Sequence, residues 1–301
     1  MYDASDPRST LAAAAPKVAP TEFAAADCGK FYESAPRIDD ANGRTWFIRS
    51  QNAVIAYTEI EDGGTFARKG QIDEYVLLLP ETGVTAEVTS DHGSATVAGY
   101  SLAFIPAGDS TVTVRGKGRI IRMFTTRSED LAALCQNAAA YQTPHPNVAP
   151  FKAWPDAKGG PKVRVYSLDV PEEPGRFGRI WRCSTFMVNF LPPQMGPRDV
   201  TKLSPHHHDD FEQCSLSLEG AFTHHLRWPW TVNMNNWLPD QHEYCGSPSV
   251  MVIPPPAIHT SRGMDAGANQ LVDIFCPPRV DFSLKPGWIL NADDYPMPTQ
   301  G

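Results

Sequence analysis

Apolar and polar positions alternate with a period of two along most of the chain, and helical periodicity is rare. The segments 45–50, 52–60, 74–80, 84–90, 100–108, 110–116 and 119–126 read as strands, punctuated by Gly, Pro and Asp. A second series follows at 162–170, 179–192, 211–220, 221–230, 249–255 and 269–277. Short strands at this spacing predict an all-β sandwich or barrel. One helix is predicted, over 128–141, where Ser128 stands at the N-cap, acids fill the first turn, and Leu131, Leu134, Cys135 and Ala138 keep helical spacing.

The Pro/Gly-rich stretch 143–161 separates the two series and reads as a linker. Each series contains an apolar strand that ends on an Ile-Pro step, Ile105-Pro106 in the first and Ile253-Pro254 in the second. The repetition predicts an internal duplication of one β-domain. The expected organisation is an Ala/Pro-rich arm over 1–27, loose or draped on a neighbour, a first domain over 28–142, the linker, and a second domain over 162–301.

Composition narrows the function. The 28 prolines among 301 residues suit short strands and irregular loops. A net charge of −8 without a Lys/Arg cluster argues against nucleic acid as a partner. No apolar run approaches the roughly 20 residues of a membrane span, and the N-terminus shows no apolar leader core, so a cytoplasmic location is expected. Six cysteines without a C-x-x-C pair read as reduced, mostly buried thiols.

The chemistry concentrates in SPHHHDDFEQCSLSLEG, residues 204–220. If the strand ending at Gly220 extends back through the histidines, His206 and His208 share a face as a two-point metal clamp, and His207 points away. Counting back, Gln213, Ser215 and Ser217 lie on one face, and Glu212, Cys214, Leu216 and Leu218 on the other. A carboxylate is normally the stronger ligand, which favours Glu212, whereas parity favours the Gln213 amide. His259 follows the Ile253-Pro254 step, where a returning antiparallel strand can bring it beside the pair; the first domain has no equivalent. On the strand after Gly220, Arg227 is a candidate anchor for a carboxylate or phosphate, with His225 and, near His259, Arg262 as further substrate contacts.

These residues resemble the cupin superfamily. Gly196, His206, His208 and Gly220 can be laid on its first motif, with a longer leading gap and Gln213 at the glutamate position, and Gly246, Pro254 and His259 on its second, where Pro256 replaces a glycine, Gly263 replaces the asparagine and the leading gap is two residues longer. The stretch is also similar to pirin-like two-domain cupins, except that Ser261 stands where those place a carboxylate ligand. The resemblance implies two double-stranded β-helix barrels with a short connecting helix. It implies one divalent transition metal, Fe, Ni, Mn, Zn or Cu, held in the second barrel by His206, His208, His259 and an oxygen donor, Gln213 or Glu212. The first barrel would carry no metal. The function expected by fold analogy is a dioxygenase-like oxidoreductase acting on a small organic substrate. The alternatives are a metal-dependent isomerase, epimerase or lyase with Glu212 as catalytic base, or a non-catalytic metal- and ligand-binding protein. A homodimer is compatible with the resemblance.

Overall fold

The structure, a computed structural model, describes residues 7–10 and 22–298. Most of the expected arm therefore lies outside the described residues. The alternating segments fold into two barrels, each a large antiparallel sheet facing a small one. In the first, Gly43–Arg49, Ala53–Ile60, Tyr75–Leu79, Ser101–Ile105 and Gly118–Thr125 belong to a seven-stranded sheet. The small sheet opposite holds Gly64–Gln71, Thr85–Ser90, Gly93–Val97 and Gly108–Arg115. In the second barrel, Met187–Phe190, Gln213–Glu219, Ser249–Ile253 and Ala268–Phe275 build the large sheet. Its small sheet is Ala221–Arg227 between Gln241–Gly246 and Ile258–Gly263.

The barrels exchange edge strands. Asp27–Lys30 pairs with Ser249–Ile253 of the second barrel, and Arg164–Ser167 pairs with Ser101–Ile105 of the first. Strand pairing thus crosses the expected domain limits at 28 and 162. The two large sheets pack face to face through Ile55, Leu78 and Phe104 on one side and Phe186, Leu216 and Val250 on the other, all within one buried cluster. Burying both outer faces against each other explains why Cys214, Leu216 and Leu218 point out of the second barrel and the polar Gln213, Ser215 and Ser217 point into it.

The first barrel is filled differently. The strand aligned with Gln213–Glu219 is Tyr75–Leu79: Tyr75 pairs with Ile105 as Gln213 pairs with Ile253, each opposite the isoleucine of an Ile-Pro step. Its inward positions are Tyr75, Leu77 and Leu79, which join Phe47, Val88, Val112 and Phe124 in an apolar interior. Arg122 lies opposite Leu77 where the second barrel has Asp273 opposite Ser215. The first barrel thus carries apolar side chains and a cation at the positions where the second carries ligand-type groups.

Two local expectations are corrected. The helix expected over 128–141 is a single turn, Glu129–Ala132, followed by a 3-10 turn at Ala138–Tyr141. Between them Gln136 N donates to Phe47 O at 3.0 Å, and the Asn137 side chain bonds Arg49 N at 3.0 Å and Arg49 O at 2.7 Å. Capping the end of the Gly43–Arg49 strand outweighs continued helix. The strand expected over 179–192 is a hairpin of Ile180–Arg182 and Met187–Phe190. Among the described residues, no helix is long and apolar enough to cross a membrane.

Candidate metal centre

The strand of the second barrel begins at Gln213 and does not extend back through the histidines. His206 is placed instead by an isolated bridge to His259: His206 N donates to His259 O at 3.0 Å, and His259 N to His206 O at 2.7 Å. His208 sits in the following loop, its ring stacked on Phe211 with centroids 4.5 Å apart. The ligand nitrogens of the three histidines lie within 4.8 Å of one another, so the group can hold a metal ion.

Local backbone geometry fixes which nitrogen faces the centre. The turn in which Ala257 N donates to Pro254 O presents Ala257 O to His259 Nδ1 at 2.9 Å. Ser204 O receives His206 Nδ1 at 3.0 Å. A carbonyl oxygen only accepts, so both Nδ1 atoms carry the proton and both Nε2 atoms present a lone pair. His259 Nε2 is buried and makes no hydrogen bond within the protein, so its lone pair is free to bind a ligand.

Gln213 Oε1 lies 2.9 Å from His208 Nε2. As a hydrogen bond this contact has His208 Nε2–H donating to the amide oxygen; two adjacent ligands at about 2.1 Å from one octahedral ion also stand about 3 Å apart, so the same spacing would suit a shared ion with the His208 proton on Nδ1. The amide orientation is set from behind. Gln213 Nε2 donates to Ser215 Oγ and to Asp273 Oδ1, both at 2.9 Å, and Ser215 Oγ donates to Asp273 Oδ1 at 2.8 Å. With both amide hydrogens engaged, the oxygen must face the histidines.

Burial, reinforced by neighbouring cations, drives His206 and His208 well below the ordinary imidazole value, and drives His259 down to about 4. All three are therefore neutral near pH 7, as metal ligation requires. Burial also pushes the Asp273 carboxyl up, against the pull of Ser215.

Above the histidines opens a cavity of about 420 Å³. Its floor includes His206, Gln213, His259 and Asp273, its apolar wall Phe177, Leu191 and Leu271, and its polar wall Arg8, Arg198 and Lys202. Arg8 belongs to the described part of the N-terminal arm; its guanidinium stands 4.2 Å over the Phe177 ring and donates to Ser204 Oγ at 2.8 Å.

The other expected site residues are not brought here. A catalytic Glu212 is corrected by its placement: its carboxylate turns to the first barrel and accepts from Gln51 N at 2.6 Å and Tyr141 OH at 2.8 Å. Glu74 occupies the same place in the first barrel, accepting from Ser184 N at 2.9 Å and Tyr295 OH at 2.6 Å. A carboxylate that recurs where no histidines stand ties the barrels together. Arg227, His225 and Arg262, expected as substrate contacts, are not brought to this cavity. Arg227 is bound to Asp240 on the surface at 2.5 Å, His225 meets His242 through Nδ1 at 2.8 Å, and Arg262, like both, lines no part of the cavity.

His224 is the histidine that the sequence reading passed over. It points into the barrel, 1% exposed, with Nδ1 2.8 Å from Ser261 Oγ and a buried Nε2 lacking a partner. Burial pushes it down to about 3. The alternation Phe222, His224, Leu226, Trp228 carried the signal, because a lone polar member of an apolar face points inward. Asp273, the acid within the apolar run NQLVDIF, was legible in the same way.

No family model and no curated protein sequence matches the chain. Solved structures do. The oxalate decarboxylase of Lactobacillus farciminis, in a formate complex, aligns with a TM-score of 0.57 and 12% identity over 86% of this chain and 89% of its own. Two variants of the Bacillus subtilis oxalate decarboxylase align with TM-scores of 0.52 and 0.51 and identities of 11% and 10%. They cover 84% and 83% of this chain and 77% of their own length. At such identities the likeness speaks for fold. Two β-barrels with exchanged edge strands, aligned over most of their length with these solved two-barrel structures, give this chain a bicupin-type fold.

Proposed function

We propose that the second barrel holds one divalent transition-metal ion on His206, His208 and His259 with Gln213 as oxygen donor, and that the protein is a metal-dependent enzyme. The observation that carries this reading is the convergence of three neutral imidazoles and an oriented amide oxygen, with His206, His259 and Gln213 on the floor of a cavity and His208 buried beside them. A bound ion would supply a Lewis acid with coordination positions open to substrate. The chain's own residues do the rest. Ser215 and Asp273 hold the amide, Ser204 O and Ala257 O hold two imidazoles in one tautomer, and Phe177, Leu191 and Leu271 exclude water from one wall.

An open N3O site suits O₂ chemistry, and the leading reading is a dioxygenase-like oxidoreductase acting on a small organic substrate. A metal-dependent lyase is the second reading. It is favoured by the three cationic residues on one wall, which suit a small carboxylate, and by the kind of enzyme found among the structural neighbours, the oxalate decarboxylases. Metal analysis of the purified protein beside a His206→Ala/His208→Ala variant tests the site, with about one ion per chain expected in the first and loss in the second. Undiminished metal in the variant removes the proposal. Oxygen uptake with a panel of small carboxylates separates the two chemistries: uptake supports the oxidoreductase, and turnover without uptake the lyase. Metal binding without turnover of any candidate would leave a ligand-binding protein.

A further inference from the structure

The two sheets of the second barrel meet at a seam that no backbone ladder closes. On one side runs Asp27–Lys30, the edge strand contributed by the N-terminal part of the chain, and on the other Gln241–Gly246, the edge of the small sheet. Side chains bridge the seam. Lys30 Nζ pairs with Glu243 Oε1 at 2.7 Å, Gly246 N donates to Tyr32 OH at 3.0 Å, and between these contacts Cys28 Sγ and Cys245 Sγ stand 2.8 Å apart. That separation is less than about 1 Å longer than a disulfide bond of about 2.04 Å. Cys28 is partly exposed and Cys245 fully buried, as are Cys135, Cys183, Cys214 and Cys276.

We infer that Cys28 and Cys245 form a thiol–disulfide modification site, oxidised by a small-molecule disulfide of the glutathione type. The Cys28 thiolate, which solvent reaches, attacks one sulfur of the small disulfide; a mixed disulfide forms and one small thiolate leaves. The Cys245 thiolate then attacks the Cys28 sulfur, forms the protein disulfide and releases the second small thiolate. The cysteine pair gives up two electrons and two protons, and the small disulfide takes them up as two thiols. The Cys245 contact and burial hold the Cys28 thiol well above its ordinary range, with Glu243 raising it further and Lys30 opposing. Exchange is therefore slow at neutral pH and accelerates as the solution becomes alkaline.

The bond would join residues 217 apart in sequence. It would fasten the strand that leads from the Arg8 segment into the first barrel onto the wall of the second. Among the described residues, the seam is otherwise bridged by this ion pair and hydrogen bond, and a covalent tie would keep the two sheet edges together when those contacts open.

The test uses the full chain incubated with oxidised glutathione near the ordinary thiol pKa of about 8.5, then denatured, alkylated and digested. Free thiols are expected to fall from six to four, and a peptide containing Cys28 is expected to be joined to one containing Cys245, both reversed by reductant. Cys245→Ser is expected to stop at glutathione bound to Cys28, and Cys28→Ser to keep all its remaining thiols. Six thiols after prolonged oxidation, or glutathione retained on Cys28 of the unaltered chain without a joined peptide, would overturn the inference. Loss of two thiols from Cys28→Ser would assign the reaction to another pair and overturn it equally.

Discussion

Gln213 couples the histidine centre to the barrel wall, because its amide hydrogens belong to Ser215 and Asp273 and its oxygen to His208. Asp273→Asn offers an amide group where Gln213 needs only an acceptor, and should weaken metal binding by about 10- to 100-fold, the usual cost of disturbing a ligand's own support. Gln213→Glu sets a second carboxylate against Asp273 at the distance the amide now spans, and should also weaken binding. The double change Gln213→Glu/Asp273→Asn restores a donor facing an acceptor and should recover the wild-type affinity or better. Competition titration against a chromophoric chelator measures all three, and a double variant as weak as the worse single one would refute the orientation argument. At this scale His206, His208 and His259 do come together, but an isolated bridge and a loop place them rather than the strand extension that their alternation suggested. His225 and Arg227 lie on the outward face of the strand Ala221–Arg227, whose inward face is marked by the buried alternation Phe222, His224 and Leu226.

Among the elements, the two Glu-bearing strand starts act as paired fasteners. Glu74 and Glu212 each receive a backbone N–H and a tyrosine hydroxyl from the opposite barrel. Glu212→Ala leaves the buried Gln51 N–H and Tyr141 hydroxyl unpaired, and should cost about 1–3 kcal/mol of stability while the metal content stays at one per chain. Gln213→Ala should lower metal affinity, which Glu212→Ala leaves unchanged, and should lower the thermal midpoint of the metal-loaded protein more than that of the metal-depleted protein. Metal analysis beside thermal melts distinguishes the two, and greater metal loss in Glu212→Ala would reassign the oxygen donor. The strands of the large sheets were readable because apolar faces mark them. Gly64–Gln71 and Gln241–Gly246 were not, because they belong to small sheets with much of their surface in solvent. The helix expected over 128–141 failed for a non-local reason, since its middle caps a strand eighty-eight residues earlier in the chain.

On the scale of the whole molecule, the duplication was visible in the repeated Ile-Pro step, whereas the exchange of edge strands was not, because pairing partners sixty or more residues apart leave no local trace. The duplication also divides the work: one barrel is filled with apolar side chains, and the other encloses four histidines, His208, His224 and His259 buried and His206 half-buried at the cavity. That asymmetry predicts an acid-sensitive fold. Burial lowers all four, to about 3 for His224 and about 4 for His259, so the folded chain keeps them neutral while the unfolded chain protonates each below about 6.5. The stability this provides is complete above that value and is lost as the pH falls from it toward the folded values. Each group contributes up to about 1.4 kcal/mol per pH unit, so four give a slope of at most about 5 kcal/mol per unit. Asp273 and Glu212, whose carboxyls burial raises, act in the opposite sense, but they are two groups against four. The metal-free protein should therefore show a thermal midpoint that falls steeply between about pH 6.5 and pH 4.5. A bound ion adds an offset, about 4 kcal/mol at a thousandfold excess over Kd. It does not flatten this slope, because unfolding takes up the same protons from either form while the folded histidines stay neutral. Melts of metal-depleted and metal-loaded protein across this range should give two roughly parallel curves. A metal-depleted protein as stable at pH 5 as at pH 7 would mean that the four histidines are not held as neutral groups.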